Sequence, residues 1–564
     1  MTRKSLSFLI LSLILLGCGT QKKRPAISNA DKAKRLKKTF APVNAGPSIK
    51  SSQFVDISQE VGLGSQVATR FYVYDLNGDD KEDLIILPEF YSSPKFFIRT
   101  KTGFRPAKNV YFDKPVKASF LNIDDFNKDG VVDILVAVHN QRTELTKTPI
   151  QMYKGSKVRG NIVFKQDNAY KFKGRNPVTS IATFDHDSNG QLDFYVGNWF
   201  DKTKSNSNQL VQDRLYTFKN NQLHDISGAL KKVSKVENLA PTYGVSHCDV
   251  DGDGRTDILT SSSAGYLNKL WFQEREKGIF TYTNLGRESG FAQDREGELI
   301  PKGGGNSTYS LCADYNNDGI MDLVVGEISH SFDSETRDRS SILTGEGLGF
   351  PPTFIRNEYI SDQGIDNWNQ GDQRANWLDI NNDGLIDLLV ENSGFPPHTR
   401  MILFVQESDH AYADQAKPLG IDIVNPVGAT YLDYNGDGKL DLLVSQTNIR
   451  DKKIKPKLYL FENRMKNTGK HIRFKLIGKN SNKNAIGAKV ILRTKDGREQ
   501  MRWHQVNSGP FPSQNSGVLH FGLGSSEVEE LEVHWPFEKK GIKLIQTFRP
   551  PFLYSNGFVK IKEY

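Results

Sequence analysis

The chain has 564 residues, enough for several domains, and carries 74 Lys and Arg against 66 Asp and Glu, a formal net charge of +8. That charge does not argue for a nucleic-acid partner, because no aromatic–basic motif of an RNA- or DNA-binding module accompanies it. A hydrophobic content of 37 % is modest, as expected of an all-β protein with many long loops.

In chain order, the first element is a leader. Residues 1–20 read MTRKSLSFLILSLILLGCGT: Arg3 and Lys4, an apolar run from Phe8 to Leu16, then Gly17-Cys18. The pattern is that of a secretory signal peptide, and the run is too short for a span of about 20 residues. Leu15-Leu16-Gly17-Cys18 resembles a bacterial lipobox, which predicts cleavage after Gly17 and lipidation of Cys18. Cleavage removes Arg3 and Lys4 and leaves 72 basic and 66 acidic residues, or +6. Gly19 rather than Asp follows the Cys, so the expected location is the outer membrane of a Gram-negative envelope, with the facing side open. Residues 18–52, with Lys22, Lys23, Arg24, Lys32, Lys34, Arg35, Lys37 and Lys38, read as a flexible basic tether whose charge suits an anionic lipid surface.

A nine-residue motif then occurs seven times: DLNGDDKED, DFNKDGVVD, DHDSNGQLD, DVDGDGRTD, DYNNDGIMD, DINNDGLID and DYNGDGKLD. Positions one, three, five and nine always carry a side-chain oxygen. These are Asp75, Asn77, Asp79 and Asp83; Asp125, Asn127, Asp129 and Asp133; Asp185, Asp187, Asn189 and Asp193; Asp249, Asp251, Asp253 and Asp257; Asp314, Asn316, Asp318 and Asp322; Asp379, Asn381, Asp383 and Asp387; Asp433, Asn435, Asp437 and Asp441. Short oxygen-bearing side chains at alternate positions of a tight loop converge on one point, as a hard cation such as Ca²⁺ requires, with the position-seven carbonyl and water completing the shell. Gly at position six allows a positive φ. Asp80 replaces it in the first copy, which weakens that site slightly. Those four positions hold 22 Asp among the 66 acidic residues, a crowding that is unfavourable without a neutralising cation. The competing reading, Asp-rich turns without metal, fits one copy far better than seven. Up to seven Ca²⁺ are expected, and at tenfold excess over Kd each adds about 1.4 kcal/mol. The fold is therefore expected to loosen without calcium.

The loops differ from EF-hands, which need a Glu at position twelve and flanking helices. Here β-rich runs flank them, such as Phe71 to Tyr74 before and Leu84-Ile85-Ile86 after, so each motif is a strand–loop–strand hairpin. Motif starts lie 50, 60, 64, 65, 65 and 54 residues apart, a spacing suited to a four-stranded blade. The expected fold is all-β: a seven-bladed calcium-loop β-propeller over residues 53–466, followed by a small β domain over 467–564. The strand Phe54-Val55-Asp56-Ile57 is expected to pair with the last blade near Leu458 to Phe461 and close the ring.

If every metal loop joins the first two strands of a blade, all seven lie on one face. The loops after the second strands lie on the other: Val138 to Lys147, Asn198 to Asn208, Glu327 to Arg339 and Asn392 to Arg400. They carry Trp199, His330, Phe395 and His398, candidate ligand-binding residues, and also His139. A single Trp in such a loop more often tucks against its own blade than meets a ligand. Asp362 to Asn376, around Trp368, reads as a further polar insertion. Besides Cys18, Cys248 and Cys312 precede their loops by one and two residues. The different registers suggest opposite strand faces and two buried thiols, although an envelope location permits a disulfide.

The Asp loops flanked by apolar runs resemble the FG-GAP or VCBS repeats of integrin-α-type propellers, and Phe54 to Leu63 resembles the segments between those repeats. Asn484-Ala485-Ile486-Gly487-Ala488-Lys489-Val490, Ser513-Gln514-Asn515, His520-Phe521-Gly522-Leu523-Gly524 and Val533-His534-Trp535-Pro536 resemble the ASPIC/UnbV domain. The resemblance runs from about residue 54 to the C-terminus and is to a bacterial relative of the cartilage acidic protein group. Asp80 for Gly and Asn189 for Asp are the departures. It implies a calcium-binding extracellular protein linked to adhesion or matrix contact, with no catalytic residues to carry over. The expected function is a lipid-anchored module that binds an unidentified protein or glycan, not an enzyme. One alternative is a lyase-like enzyme acting on polysaccharides through His139, His330 and His398; another is a structural role in an envelope complex. No G-x-S-x-G, H-E-x-x-H or P-loop pattern supports catalysis.

Overall fold

A computed structural model describes residues 46–139, 148–174, 177–201, 209–231, 239–292, 305–329, 339–359, 370–393, 399–408, 411–448 and 451–564. The chain is nearly all β; among the described residues the helices are Ala416–Leu419 and the 3₁₀ turn Ser227–Ala229.

Each motif closes a hairpin. The strand pairs are Arg70–Tyr74 with Asp83–Leu87, Phe120–Asp124 with Asp133–Ala137, and Val178–Phe184 with Asp193–Asn198. They continue with Thr242–Cys248 and Asp257–Ser262, Ser307–Ala313 and Asp322–Ser329, Gln370–Leu378 and Asp387–Asn392, and Pro426–Leu432 and Asp441–Gln446. The ninth-position Asp thus starts the second strand every time. Two more strands extend six of the hairpins into antiparallel four-stranded sheets. The seventh sheet takes its fourth strand from the other end of the chain: Phe54–Asp56 pairs with Lys457–Asn463, Phe54 opposite Asn463. Sheet two gains a fifth strand, Val110–Phe112, parallel to Asn161–Gln166.

Second strands such as Asp83–Leu87 and Asp133–Ala137 are buried at every residue, because both faces of each sheet are covered. Alternate residues therefore enter different cores. Tyr72 and Ile85 of sheet one pack with Leu121 and Ile134 of sheet two, whereas Phe71 and Ile86 pack with Leu443 and Leu460 of sheet seven. The same alternation joins two to three, three to four, four to five, five to six and six to seven.

This stacking corrects the reading of the cysteines. Cys248 and Cys312 form a disulfide between the first strands of sheets four and five, with Cα atoms 6.4 Å apart. Opposite strand faces are what neighbouring stacked sheets present to one another, so the register difference favours the bridge. The polar insertion expected to Asn376 is also shorter, because Gln370–Leu378 is a strand that pairs with both Asp387–Asn392 and the end of Asp322–Ser329.

The C-terminal residues form two further sheets around one core. Lys470–Ile477 pairs with Val518–Gly524 and, in parallel, with Gly557–Lys562; Lys489–Thr494 pairs with Glu499–Trp503 and Val528–Lys539, which pairs with Ile542–Phe548. The alternating residues Ile472, Phe474, Leu476, Phe521, Leu523, Leu531, Val533 and Trp535 meet inside.

Between Glu499–Trp503 and Val518–Gly524 the chain leaves these sheets as a strap that lies against the first strands of the seven others. Six of those strands are sheet edges with unpaired backbone groups, and Gln370–Leu378 is paired on that side only at Gln370 and Gly371. Gln514 N–H donates to Phe71 O and its carbonyl accepts from Val73 N–H, at 2.9 and 3.1 Å, while its side-chain amide brackets Ile123, with Nε2 to O at 2.9 Å and N–H to Oε1 at 3.1 Å. Phe511 N–H donates to Thr179 O, Gly509 N–H to Val245 O, Ser180 Oγ to Gly509 O and Arg374 Nη1 to Pro510 O. Asn515 bonds Thr430 and Asn376. Gly509 has a φ of +74°, and an added Cβ would stand 3.3 Å from the Cβ of Tyr309 in sheet five. Ile123 lies next to an Asp-rich loop and Thr179 at the opposite strand end, so the strap runs along the strands from end to end.

Candidate metal centre

The seven loops share one hydrogen-bond scaffold. At position one, Oδ2 of Asp75, Asp125, Asp185, Asp249, Asp314, Asp379 and Asp433 accepts the N–H of position six, at 2.7–3.2 Å. At position three, Asn77, Asn127, Asp251, Asn316, Asn381 and Asn435 accept the N–H of position five. At position five, Asp79, Asp129, Asn189, Asp253, Asp318, Asp383 and Asp437 accept the N–H of position seven.

The ninth carboxylates are built in more deeply. Oδ1 of Asp83, Asp133, Asp193, Asp257, Asp322, Asp387 and Asp441 accepts a backbone N–H from the third strand of the same sheet. Oδ2 returns to the loop: it takes the N–H of position two in six copies and of Asn127 in the second. The ninth Asp thereby ties the loop to its sheet. Position four shares the need for a left-handed backbone with position six: Gly78, Lys128, Ser188, Gly252, Asn317, Asn382 and Gly436 all have positive φ, as does Asp80 at 64°. Sequence reading assigned that requirement to position six alone. The signal at position four was weak, because Lys and Ser occupy it as well as Gly and Asn.

Burial pushes these carboxyls up, and neighbouring carboxylates add to the effect. Asp83 and Asp133 rise to about 7 and Asp322 to about 8, while Asp193, Asp257, Asp387 and Asp441 stand well above the usual range. Among the first-position groups, Asp185 rises to about 8, Asp379 to about 7, and Asp249 and Asp314 to about 6. A divalent cation among them would reverse that cost.

Loop four fits such a cation. Carboxylate oxygens of Asp249, Asp251 and Asp257 lie within 4.8 Å of one another, and the buried Oδ1 of Asp249 has no donor. In loop three Asp187 and Asp193 converge in the same way, joined by His186, a residue that sequence reading passed over; Asp187 Oδ1 and His186 Nδ1 are both buried without a partner. The oxygen-only set of loop four suits Ca²⁺, whereas an imidazole nitrogen is a poorer ligand for that hard ion.

The C-terminal sheets contact the loops. Lys475 pairs with Asp75 and Asp80, Lys560 with Asp80, and Arg473 with Asp433. Lys543 donates to Gly254 O, Arg498 to Asp383 O and Gly524 N–H to Asn382 O, while Glu538 N–H donates to Ser188 O.

Of the candidate ligand residues, Trp199 is half-buried and packs on Tyr243 and Phe200, with ring centroids 4.9 and 5.2 Å away. His139 is 7 % exposed; its Nδ1 lies 2.8 Å from Val178 O and its ring meets Phe511 edge-on. Phe511 also meets Phe90 and Tyr243. His330, Phe395, His398 and Cys18 lie outside the described residues, as does Trp368. Gly46 and Ser48, expected in the tether, bond Arg400 and Asp422.

Comparison with known proteins fits this geometry. An FG-GAP-like repeat model matches residues 249–325 and 379–444, and an ASPIC and UnbV model matches residues 478–549. The chain thus carries FG-GAP-like repeats, which mark a ligand-binding or adhesion-type extracellular module, followed by an ASPIC and UnbV domain. It is distantly similar to cartilage acidic protein 1: 23 % identical over 475 residues to that of Xenopus tropicalis, covering 76 % of this chain and 71 % of the relative. To that of Homo sapiens it is 21 % identical over 502 residues, covering 76 % and 70 %. The V. cholerae biofilm matrix protein Bap1 is 11 % identical over 90 % of each chain with a TM-score of 0.27, too low to carry an argument.

Proposed function

We propose that the chain is a seven-bladed, calcium-binding propeller, anchored by lipid at Cys18 in the outer membrane, that holds a protein or glycan as an adhesion or ligand-binding module. The observation that carries this reading is the sevenfold loop scaffold, with partnerless buried carboxylate oxygens at Asp187 and Asp249. Seven sheets in succession, the seventh packed back on the first, support the propeller. The C-terminal sheets touch the acidic loops, so ligand contact falls to the opposite face, where Trp199, Tyr243, Phe90 and Phe511 cluster. The second-strand loops there would supply His330, Phe395 and His398. The buried setting of His139 lends nothing to the polysaccharide-cleaving alternative.

The test incubates the chain from residue 40 onward with a polysaccharide panel in millimolar calcium and reads retention and product release together. Retention abolished by EGTA, without new ends, is expected for a glycan-binding module. New unsaturated or reducing ends would replace the reading with an enzyme, and no interaction at all would turn the search to protein partners.

A further inference from the structure

The seven loops are not equivalent in their surroundings. In loop one, Lys475 Nζ stands 3.2 Å from Asp75 Oδ2 and 3.0 Å from Asp80 Oδ1, and Lys560 pairs with the other Asp80 oxygen. In loop seven, Arg473 pairs with Oδ2 of Asp433, whose side chain is 4 % exposed. Among the described residues, no cation pairs with the first-position carboxylate of the other five loops. Fifth-position pairs do occur there, Lys154 with Asp129 and Arg255 with Asp253, but their cations come from the loop or its own sheet.

Two independent features point the same way. Loop one is the copy that has Asp80 where the others have Gly, and that extra carboxylate is what holds Lys475 and Lys560. Loops one and seven are also neighbours: Asp80, Asp433 and Arg473 line one cavity of about 310 Å³ where the seventh sheet meets the first. Arg473 and Lys475 both come from Lys470–Ile477, and Lys560 from the strand parallel to it.

We propose that the C-terminal sheets supply protein cations at this seam in place of calcium, so that loops one and seven bind Ca²⁺ far more weakly than the other five. A Lys or Arg head on the first-position carboxylate already neutralises part of its charge, and its own positive charge repels a divalent cation beside it. The proposal rests on the calcium reading above. Its consequence is division of labour: the C-terminal sheets bond backbone groups of loops three, four and six and leave their first-position carboxylates to calcium, whereas at the two loops where the first and last sheets meet their cations pair with those carboxylates instead.

The experiment is calcium titration of the metal-stripped chain by equilibrium dialysis with elemental analysis. Five strong equivalents are expected, with two absent or weaker by at least about tenfold, a difference of about 1.4 kcal/mol each. Replacing the two cations that pair with first-position carboxylates, Arg473→Met with Lys475→Met, should raise the strong class to seven. Should that variant fail to fold, single carboxylate changes decide: Asp249→Asn should remove one strong equivalent, and Asp75→Asn or Asp433→Asn none. Seven equal sites in the wild type, or a strong equivalent lost with Asp75→Asn, would overturn the inference and leave the calcium reading standing. No bound calcium at all would overturn that reading itself.

Discussion

Gln514 offers a direct measure of how tightly the strap joins the C-terminal sheets to the seven others. Its side chain is 2 % exposed and bonds both backbone groups of Ile123, on a strand edge that no other strand covers. Gln514→Leu keeps most of the volume and removes both bonds. Each buried backbone group left without a partner costs about 1–3 kcal/mol, so the loss is roughly 3 kcal/mol. The melting shift then reports the size of the cooperative unit. An unfolding entropy of about 2.1 cal/mol/K per residue gives ~1 kcal/mol/K for ~500 residues unfolding together, and a fall of ~3 °C. If the C-terminal sheets melt alone, ~95 residues give ~0.2 kcal/mol/K, and the same loss moves an early transition by ~15 °C. Calorimetry reads the shift, and hydrogen exchange at the Ile123 amide reads the contact. An unchanged melting curve with full protection at Ile123 would refute the strap as a buried, hydrogen-bonded element.

Two further outcomes follow from the site and the core. The loop carboxyls Asp83, Asp133, Asp185, Asp322 and Asp379 have folded values of about 7–8 against an ordinary 3.8. Between those values the metal-free folded state holds more protons than the unfolded one, so stability is greatest at the acidic end and falls as pH rises through 7–8. The melting temperature of the metal-stripped chain should therefore drop between pH 5.5 and 8. Calcium should flatten or invert the trend, since it binds only the deprotonated groups; a rise without metal would contradict the burial argument. The Cys248–Cys312 bridge closes 64 residues, for which loop entropy predicts about 4 kcal/mol. The Cys248→Ser, Cys312→Ser pair should melt earlier, and two titratable thiols in the unreduced, denatured chain from residue 40 would disprove the bridge.

Much of the site is local and therefore legible in the sequence. A side-chain oxygen at positions one, three, five and nine, with an apolar run after it, specifies a hairpin because each group bonds N–H groups within a few residues of itself. Even there, the second bond of each ninth Asp goes to a third strand some 16–25 residues away, as from Asp83 to Arg99 and from Asp193 to Phe218, which spacing alone does not reveal. The alternation Ile472, Phe474, Leu476 likewise located the C-terminal core, because period two is a property of one strand. What tertiary structure decided are contacts between separate sheets: Gln514 on Ile123, 391 residues away, Arg473 on Asp433, and Cys248 on Cys312, 64 residues apart, which the register seemed to separate until the stacking of sheets turned their opposite faces together. Trp199 shows the same limit, since the sequence favours a Trp tucked against the protein and only the packed chain reveals Tyr243 beside it. Local bonds are encoded by spacing. Contacts between distant segments depend on how whole sheets stack, and that is set by the sum of many buried apolar faces rather than by any one motif.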